Sequence, residues 1–93
     1  MTQSVKQITT NDVTEYITDE LGMKPRHNTQ AIAEACNEMS MIHEVEANDV
    51  MRLVLANEPI PTMYTHSYGF HTANGRGLID EFKLLYNEYN EYN

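Results

Sequence analysis

Residues 78–93 read LIDEFKLLYNEYNEYN, and apolar side chains recur in this segment at alternating steps of four and three residues. A helix of about 3.6 residues per turn places side chains with this spacing on one face. The members of that face, with the neighbours that widen it, are Leu78, Ile79, Phe82, Leu85, Tyr86, Tyr89 and Tyr92. The spacing therefore predicts an amphipathic C-terminal helix whose apolar face changes from aliphatic residues to tyrosines along its length.

Acidic side chains form a flank beside this face. In a helical projection of about 100° per residue, Asp80 and Glu91 share one line, and Glu81 and Glu88 share a neighbouring line. The helix would then present carboxylates next to tyrosines. This pattern indicates a surface that contacts a partner more than it indicates a catalytic pocket.

Leu84 lies on the acidic flank, so a helix docked on one side only would leave this leucine exposed. We expect the aliphatic half of the helix, Leu78–Leu85, to pack in the core. The tyrosine half, Tyr86–Tyr92, is expected to contact a partner or a second copy of the chain, because terminal residues usually fray unless something ties them down.

Capping residues predict three further helices. Thr9 and Asp12 have the spacing of a capping box, and Gly22 can end the helix that they begin. Asn28 can cap the second helix, and Asn48 can cap the third. With the C-terminal helix, the sequence predicts a mainly α fold of about four helices in a small single domain.

Apolar positions of the second helix recur at helical spacing, and they are Ile32, Ala35 or Cys36, Met39 and Ile42. We expect Cys36 to be a small core residue on this stripe. His43 is expected at the solvent-exposed end of the same helix.

The segment from Pro59 to Gly77 loses the helical period. Near residues 62–71, apolar and aromatic side chains alternate with small ones in a two-residue pattern, which predicts a short extended or β segment. Two arrangements stay open for it: a hairpin packed on the helices, or a strand that pairs with a partner's sheet.

The chain carries a large negative charge for its size. It has 93 residues, with 14 acidic and six basic side chains and a formal net charge of −8. A chain this short forms one domain, residues 1–93. Its field repels nucleic acid and anionic membranes, and a basic protein surface is its natural complement. The alternative is that the carboxylates only confer solubility.

A single cysteine, Cys36, excludes an intramolecular disulfide. The first ten residues lack the apolar run of a signal peptide, and no stretch has the length needed to span a bilayer. We therefore expect a cytoplasmic protein, in the host cytoplasm if a phage encodes it.

No catalytic centre, metal site or cofactor site is predicted. His66 and His71, and likewise Cys36 and His43, lack the spacing of a zinc motif. Glycines near the start of the last helix resemble an anion-binding loop, but turn formation requires the same residues. The chain is therefore not expected to be an enzyme.

The second and third helices are adjacent in sequence, as in a helix-turn-helix. Asp49 lies near the start of the third helix, and Arg52 is its only base, so contact with phosphates would be repulsive. Direct DNA binding through this pair is a weaker hypothesis than protein binding.

The function we expect is that of a protein-binding modulator or inhibitor, which occupies the basic surface of a nucleic-acid-handling protein. Carboxylates on helices can imitate a row of phosphates, and tyrosines supply rigid contact area. The predicted partner-binding residues are Glu34 and Glu38 on the second helix and Glu81, Tyr86, Glu88, Tyr89, Glu91 and Tyr92 on the last.

In size, charge and carboxylate-plus-tyrosine composition, the chain resembles the small acidic inhibitors that bacteriophages and mobile elements encode. These include nucleic-acid mimics that block restriction or CRISPR nucleases or a polymerase. The resemblance implies an anti-defence role, and it assigns no residue.

A homodimeric interaction or transcription-regulatory module is the alternative function. A three-four apolar repeat over two heptads is what a dimer seam requires, and self-association would enlarge the small core of this chain.

Overall fold

This computed structural model describes residues 6–58 and 76–92 of the chain, and these residues contain four helical segments. They are α1, Thr10–Glu15, which continues as a π-helical turn over Tyr16–Glu20; α2, Thr29–His43; α3, Ala47–Ala56; and α4, Arg76–Tyr92. The predicted mainly α fold of about four helices is confirmed. The extended segment predicted near residues 62–71 lies outside the described residues.

Thr9 caps α1 through the predicted capping box. The Asp12 backbone N–H donates to Thr9 Oγ1 over 3.1 Å, and the Thr9 N–H donates to the Asp12 carboxylate over 2.8 Å. The helix then loosens into the π-helical turn, in which the Leu21 N–H donates to the Tyr16 carbonyl over 3.1 Å. Gly22, at a φ of 64°, ends the segment as predicted, because a residue without a Cβ adopts this left-handed conformation readily.

α2 is the central helix, since α1, α3 and α4 all pack against it. Asn28 caps it as predicted, and its side-chain oxygen accepts a hydrogen bond from the Ala31 N–H at 3.1 Å. Small side chains let the neighbouring helices approach closely. The buried residues of α2 are Ala31, Ile32, Ala33, Ala35, Cys36, Met39 and Ser40.

The last turn of α2 corrects two predictions. Ile42, expected in the core, is 52% exposed, and the side chain of His43, expected in solvent, is only 7% exposed. His43 lies one turn after Met39 on the buried side of α2. Its imidazole pairs with the carboxylate of Glu81 on α4, 3.0 Å away. Ile42 follows Glu38, which is itself partly exposed, so it lies at the edge of the packed surface.

α3 begins at Ala47 with Glu46 as its N-cap, so the prediction that Asn48 caps this helix is wrong. The N-terminal segment runs beside the helix start: the Ala47 N–H donates to the Lys6 carbonyl over 3.3 Å, and the Lys6 N–H donates to the Glu46 carboxylate over 3.1 Å. Val45 and Ala47 are fully buried. Packing therefore draws the first turn into the core and overrides the capping preference of asparagine.

One hydrophobic core joins the four helical segments. Its buried members come from every helix and include Val13, Tyr16, Met39, Leu53 and Leu78. Cys36 is buried among them, as predicted. Within residues 6–58 and 76–92, no helix has the length and apolar character needed to cross a membrane.

Candidate partner-binding surface

The inner face of α4 docks on the core along most of the helix. Leu78 and Phe82 are buried, and Leu85, Tyr86 and Tyr89 are partly buried against the same core. The apolar spacing that predicted the helix therefore also identifies its docking face. This face continues past Leu85, where we expected it to end, and includes two of the tyrosines.

Tyr86 anchors α4 to the start of α2. Its hydroxyl oxygen accepts a hydrogen bond from the Asn28 N–H at 3.1 Å, and its ring stacks on Phe82 with centroids 6.0 Å apart. The ring of His27 meets Tyr86 edge-on at 6.3 Å. The Asn28 side-chain amide also donates to the Asn90 side-chain oxygen over 3.1 Å. Asn28 thus caps α2 and holds α4 at the same time.

Tyr89 anchors α4 to the middle of α2. Its hydroxyl donates a hydrogen bond to the Glu38 carboxylate. This hydrogen bond, with burial and the negative charges of Glu38, Glu34 and Glu88, raises the pKa of Tyr89 to about 12. The phenol therefore stays protonated and remains a donor throughout the neutral range.

Glu81 also forms a contact within the chain, with His43. Its carboxylate lies 3.0 Å from His43 Nε2, and its own side chain is 33% exposed. A buried imidazole next to a carboxylate is a satisfied polar pair. Glu81 therefore fixes the start of α4 against the end of α2.

The structure sorts the eight predicted partner-binding residues into two groups. Five of them interact within the chain, and these are Glu34, Glu38, Glu81, Tyr86 and Tyr89. Glu34 is partly buried on α2, whereas Glu88 and Glu91 are exposed on α4. Tyr92 lies in the last turn of α4, and its side chain is outside the described part of the structure.

An outward-facing strip of α4 carries the exposed acids, and we call it the outer face of α4: Asp80, Leu84, Glu88 and Glu91. Leu84 is 70% exposed, as its place on the acidic flank predicted. Asp80 and Glu88 are one turn to either side of it, and Glu91 is two turns further along the helix. A single apolar side chain is thus framed by three carboxylates.

A second acidic surface was missed by the sequence reasoning. A cleft of about 460 Å³ lies between the first helical segment, the residues before it and the start of α3. Its carboxylates are Asp12, Glu15, Asp19, Glu20 and Glu46. The pattern of polar and apolar residues along α1 and the π-helical turn indicates that four of these acids face solvent. Glu46 is distant from them in the sequence, and the fold brings it to the same cleft.

Carboxylates outnumber basic side chains at both acidic surfaces: Lys6 is the basic residue that lines the cleft, beside five carboxylates. His43 forms an ion pair with Glu81, and Arg52 forms one with Glu58. Neither includes a carboxylate of the outer face of α4 or of the cleft. Arg52 is held further by the Tyr16 ring, 5.2 Å below its guanidinium carbon. The excess of carboxylates gives both surfaces a net negative charge.

Cys36 and the histidines of the described residues form no metal centre. In those parts of the chain, no group of three or more His, Cys, Asp or Glu side chains has an arrangement that would hold a metal ion. Burial raises the pKa of the Cys36 thiol to about 12, so the thiolate needed for nucleophilic or redox chemistry is scarce. The pair formed by His66 and His71 lies outside the described residues.

Carboxylates are concentrated at two places in the described part of the chain. These are the outer face of α4, with Leu84 at its centre, and the carboxylate-lined cleft beside α1. No protein family, no curated protein and no solved structure matches this chain.

Proposed function

We propose that this protein binds a basic surface of another protein and modulates or inhibits that protein by occupying the surface. The observation that carries the proposal is the outer face of α4, where Leu84 stands exposed among Asp80, Glu88 and Glu91. A desolvated apolar anchor within a charged rim is the usual anatomy of a binding hot spot. The partner would offer a small apolar depression with lysines or arginines around it.

Net charge supports the class of partner. A formal charge of −8 on 93 residues attracts a basic surface over long range and raises the association rate. Basic surfaces of this kind are built to hold the phosphates of nucleic acids. A nucleic-acid-binding protein is therefore the proposed target, and the exposed carboxylates take the place of phosphates.

The internal contacts of α4 support a rigid binding surface. Tyr86, Tyr89 and Glu81 tie three successive parts of the helix to the body of the protein. A surface that is ordered before binding loses little conformational entropy on association. The role of these residues in the proposal is to position Leu84, Glu88 and Glu91.

Affinity capture from a lysate of the native host tests the proposal, with the full chain as bait. We expect a nucleic-acid-binding protein to be retained, to be released from its DNA or RNA when the chain is added, and to be lost at high salt. Leu84→Gln and the double variant Glu88→Lys, Glu91→Lys should each abolish retention.

Lys83→Gln is the matched control, because Lys83 is exposed on the same helix but outside the outer face. It should retain the same protein as the unchanged chain. Retention that survives both Leu84→Gln and the charge reversal, or a retained protein that keeps its nucleic acid, would contradict the proposal.

A homodimer through the apolar repeat of α4 is less well supported. Leu85 and Tyr89, which would form its seam, already pack against the core of their own chain. Self-association through that face would first have to remove them from this core.

A further inference from the structure

We propose that an apolar pocket beside the end of the first helical segment binds a small amphipathic carboxylate, with its hydrocarbon tail inside and its carboxylate at the mouth. The pocket lies between the end of the first helical segment and the end of α3, and its walls are Ile17, Leu21, Val54 and Leu55. Its volume is about 230 Å³. It shares no residue with the outer face of α4 or with the acidic cleft.

The backbone of the first helical segment shapes one side of this pocket. In the π-helical turn the carbonyl of Ile17 accepts a hydrogen bond from the Met23 N–H at 3.0 Å, across the left-handed Gly22. This hydrogen bond, which spans six residues, reverses the chain so that Met23 also lines the pocket. Local π-helical turns of this kind occur frequently at functional sites.

The mouth of the pocket is basic, although the chain as a whole is strongly acidic. Lys24, Arg26 and His27 line it, and all three side chains are exposed. The chain has six lysines and arginines in total, and two of them stand here within three residues. Among the described residues that line the pocket, none is acidic. An anionic head group would therefore meet attraction here and repulsion at the acidic surfaces.

The size of the pocket selects a small ligand. Pockets for drug-sized molecules usually enclose roughly 300–1,000 Å³, so a pocket of about 230 Å³ has room for one short hydrocarbon chain. A protein partner would need a far larger contact area. The ligand class that matches apolar walls, this volume and two exposed cations is a monocarboxylate with an aliphatic tail of about six to ten carbons.

Titration of the free protein with octanoate, monitored by NMR, tests the proposal. No protein partner is present, so the outcome does not depend on the proposed function. Saturable shifts are expected at the methyl groups of Leu21, Val54 and Leu55. Octylammonium has the same tail and the opposite charge, and it should bind at least about tenfold more weakly. The double variant Lys24→Gln, Arg26→Gln should weaken octanoate binding by about threefold to thirtyfold.

Lys83→Gln is the matched control, since it removes an exposed cation distant in sequence from the pocket, and it should leave octanoate binding unchanged. The two glutamine substitutions are at exposed sites, so thermal melting should confirm that the variant is folded. Equal binding of octanoate and octylammonium, or absence of saturable shifts at these methyls, would overturn the proposal. If the unchanged protein self-associates and the double variant has the molecular mass of one chain, a second copy of the chain is the occupant, and this result would also overturn the proposal.

Discussion

The hydroxyl of Tyr89 donates a hydrogen bond to the carboxylate of Glu38, and this contact joins the last third of α4 to the middle of α2. The two residues are 51 positions apart in the chain. Both belong to the set that sequence reasoning assigned to a partner. Their pairing shows how a tyrosine and a glutamate on amphipathic helices can recognise each other within one molecule.

Replacing Tyr89 by Phe removes this hydrogen bond and keeps the ring. We expect the free energy of unfolding to fall by about 1 kcal/mol, because the bond is partly exposed to solvent. Urea unfolding would measure the change. In a Glu38→Gln background the same substitution should have a smaller effect, and an equal effect in both backgrounds would show that the two side chains are not coupled.

Alkaline pH should destabilise the fold through the same residue. The pKa of Tyr89 rises from 10.0 to about 12 in the folded protein, so between these values the unfolded chain loses the phenol proton while the folded chain keeps it. The unfolded state then binds fewer protons, and stability falls as pH rises through this window. In Tyr89→Phe the fall, measured by denaturant unfolding at several pH values, should be shallower; an unchanged slope would contradict the assignment.

Asn28 has two separable roles, and two substitutions distinguish them. Asn28→Ser keeps a capping oxygen for the Ala31 N–H but loses the amide that reaches Asn90. Asn28→Ala loses both and should reduce stability by about 1 kcal/mol more than serine does. Asn90→Ala should reproduce the smaller effect of the serine variant, and thermal melting would rank the three.

The two faces of α4 should respond differently to substitution. Leu84→Gln should change the free energy of unfolding by less than about 0.5 kcal/mol, because Leu84 is exposed. Leu78→Ala should cost about 2–5 kcal/mol, because Leu78 is buried. Chemical denaturation of both variants checks the contrast, and a large loss for Leu84→Gln would mean that the outer face is not free.

Cys36 should report the opening of the core. Burial raises the pKa of its thiol to about 12, so the native protein should react with a thiol reagent many times more slowly than the urea-unfolded chain. The logarithm of the labelling rate, followed by mass spectrometry, should increase in Leu78→Ala in proportion to the lost free energy of unfolding. Fast labelling of the unchanged native protein would contradict the burial of this thiol.

Local signals made much of the fold predictable. The capping box of Thr9 with Asp12, the cap at Asn28 and the stop at Gly22 each depend on a few neighbouring residues, and the structure has all of them. The core position of Cys36 followed from periodicity alone.

Features that depend on distant residues were not predictable. The start of α3 is set by its pairing with Lys6, and the burial of His43 depends on Glu81 from α4. The Tyr86 hydroxyl accepts a hydrogen bond from Asn28 at the start of α2, and the Tyr89 hydroxyl donates one to Glu38. The spacing of residues within α4 does not predict either partner. Amphipathic side chains such as tyrosine serve a core edge and an interface equally well, so only the tertiary arrangement decides between them.

The separation of the two faces of α4 also has an evolutionary consequence. Core contacts occupy the inner face, and Leu84 with its acidic neighbours stands apart from them. Substitutions on the outer face can therefore accumulate without unfolding the chain. The two faces can in this way change at different rates over generations, because selection for folding acts on the residues of the inner face.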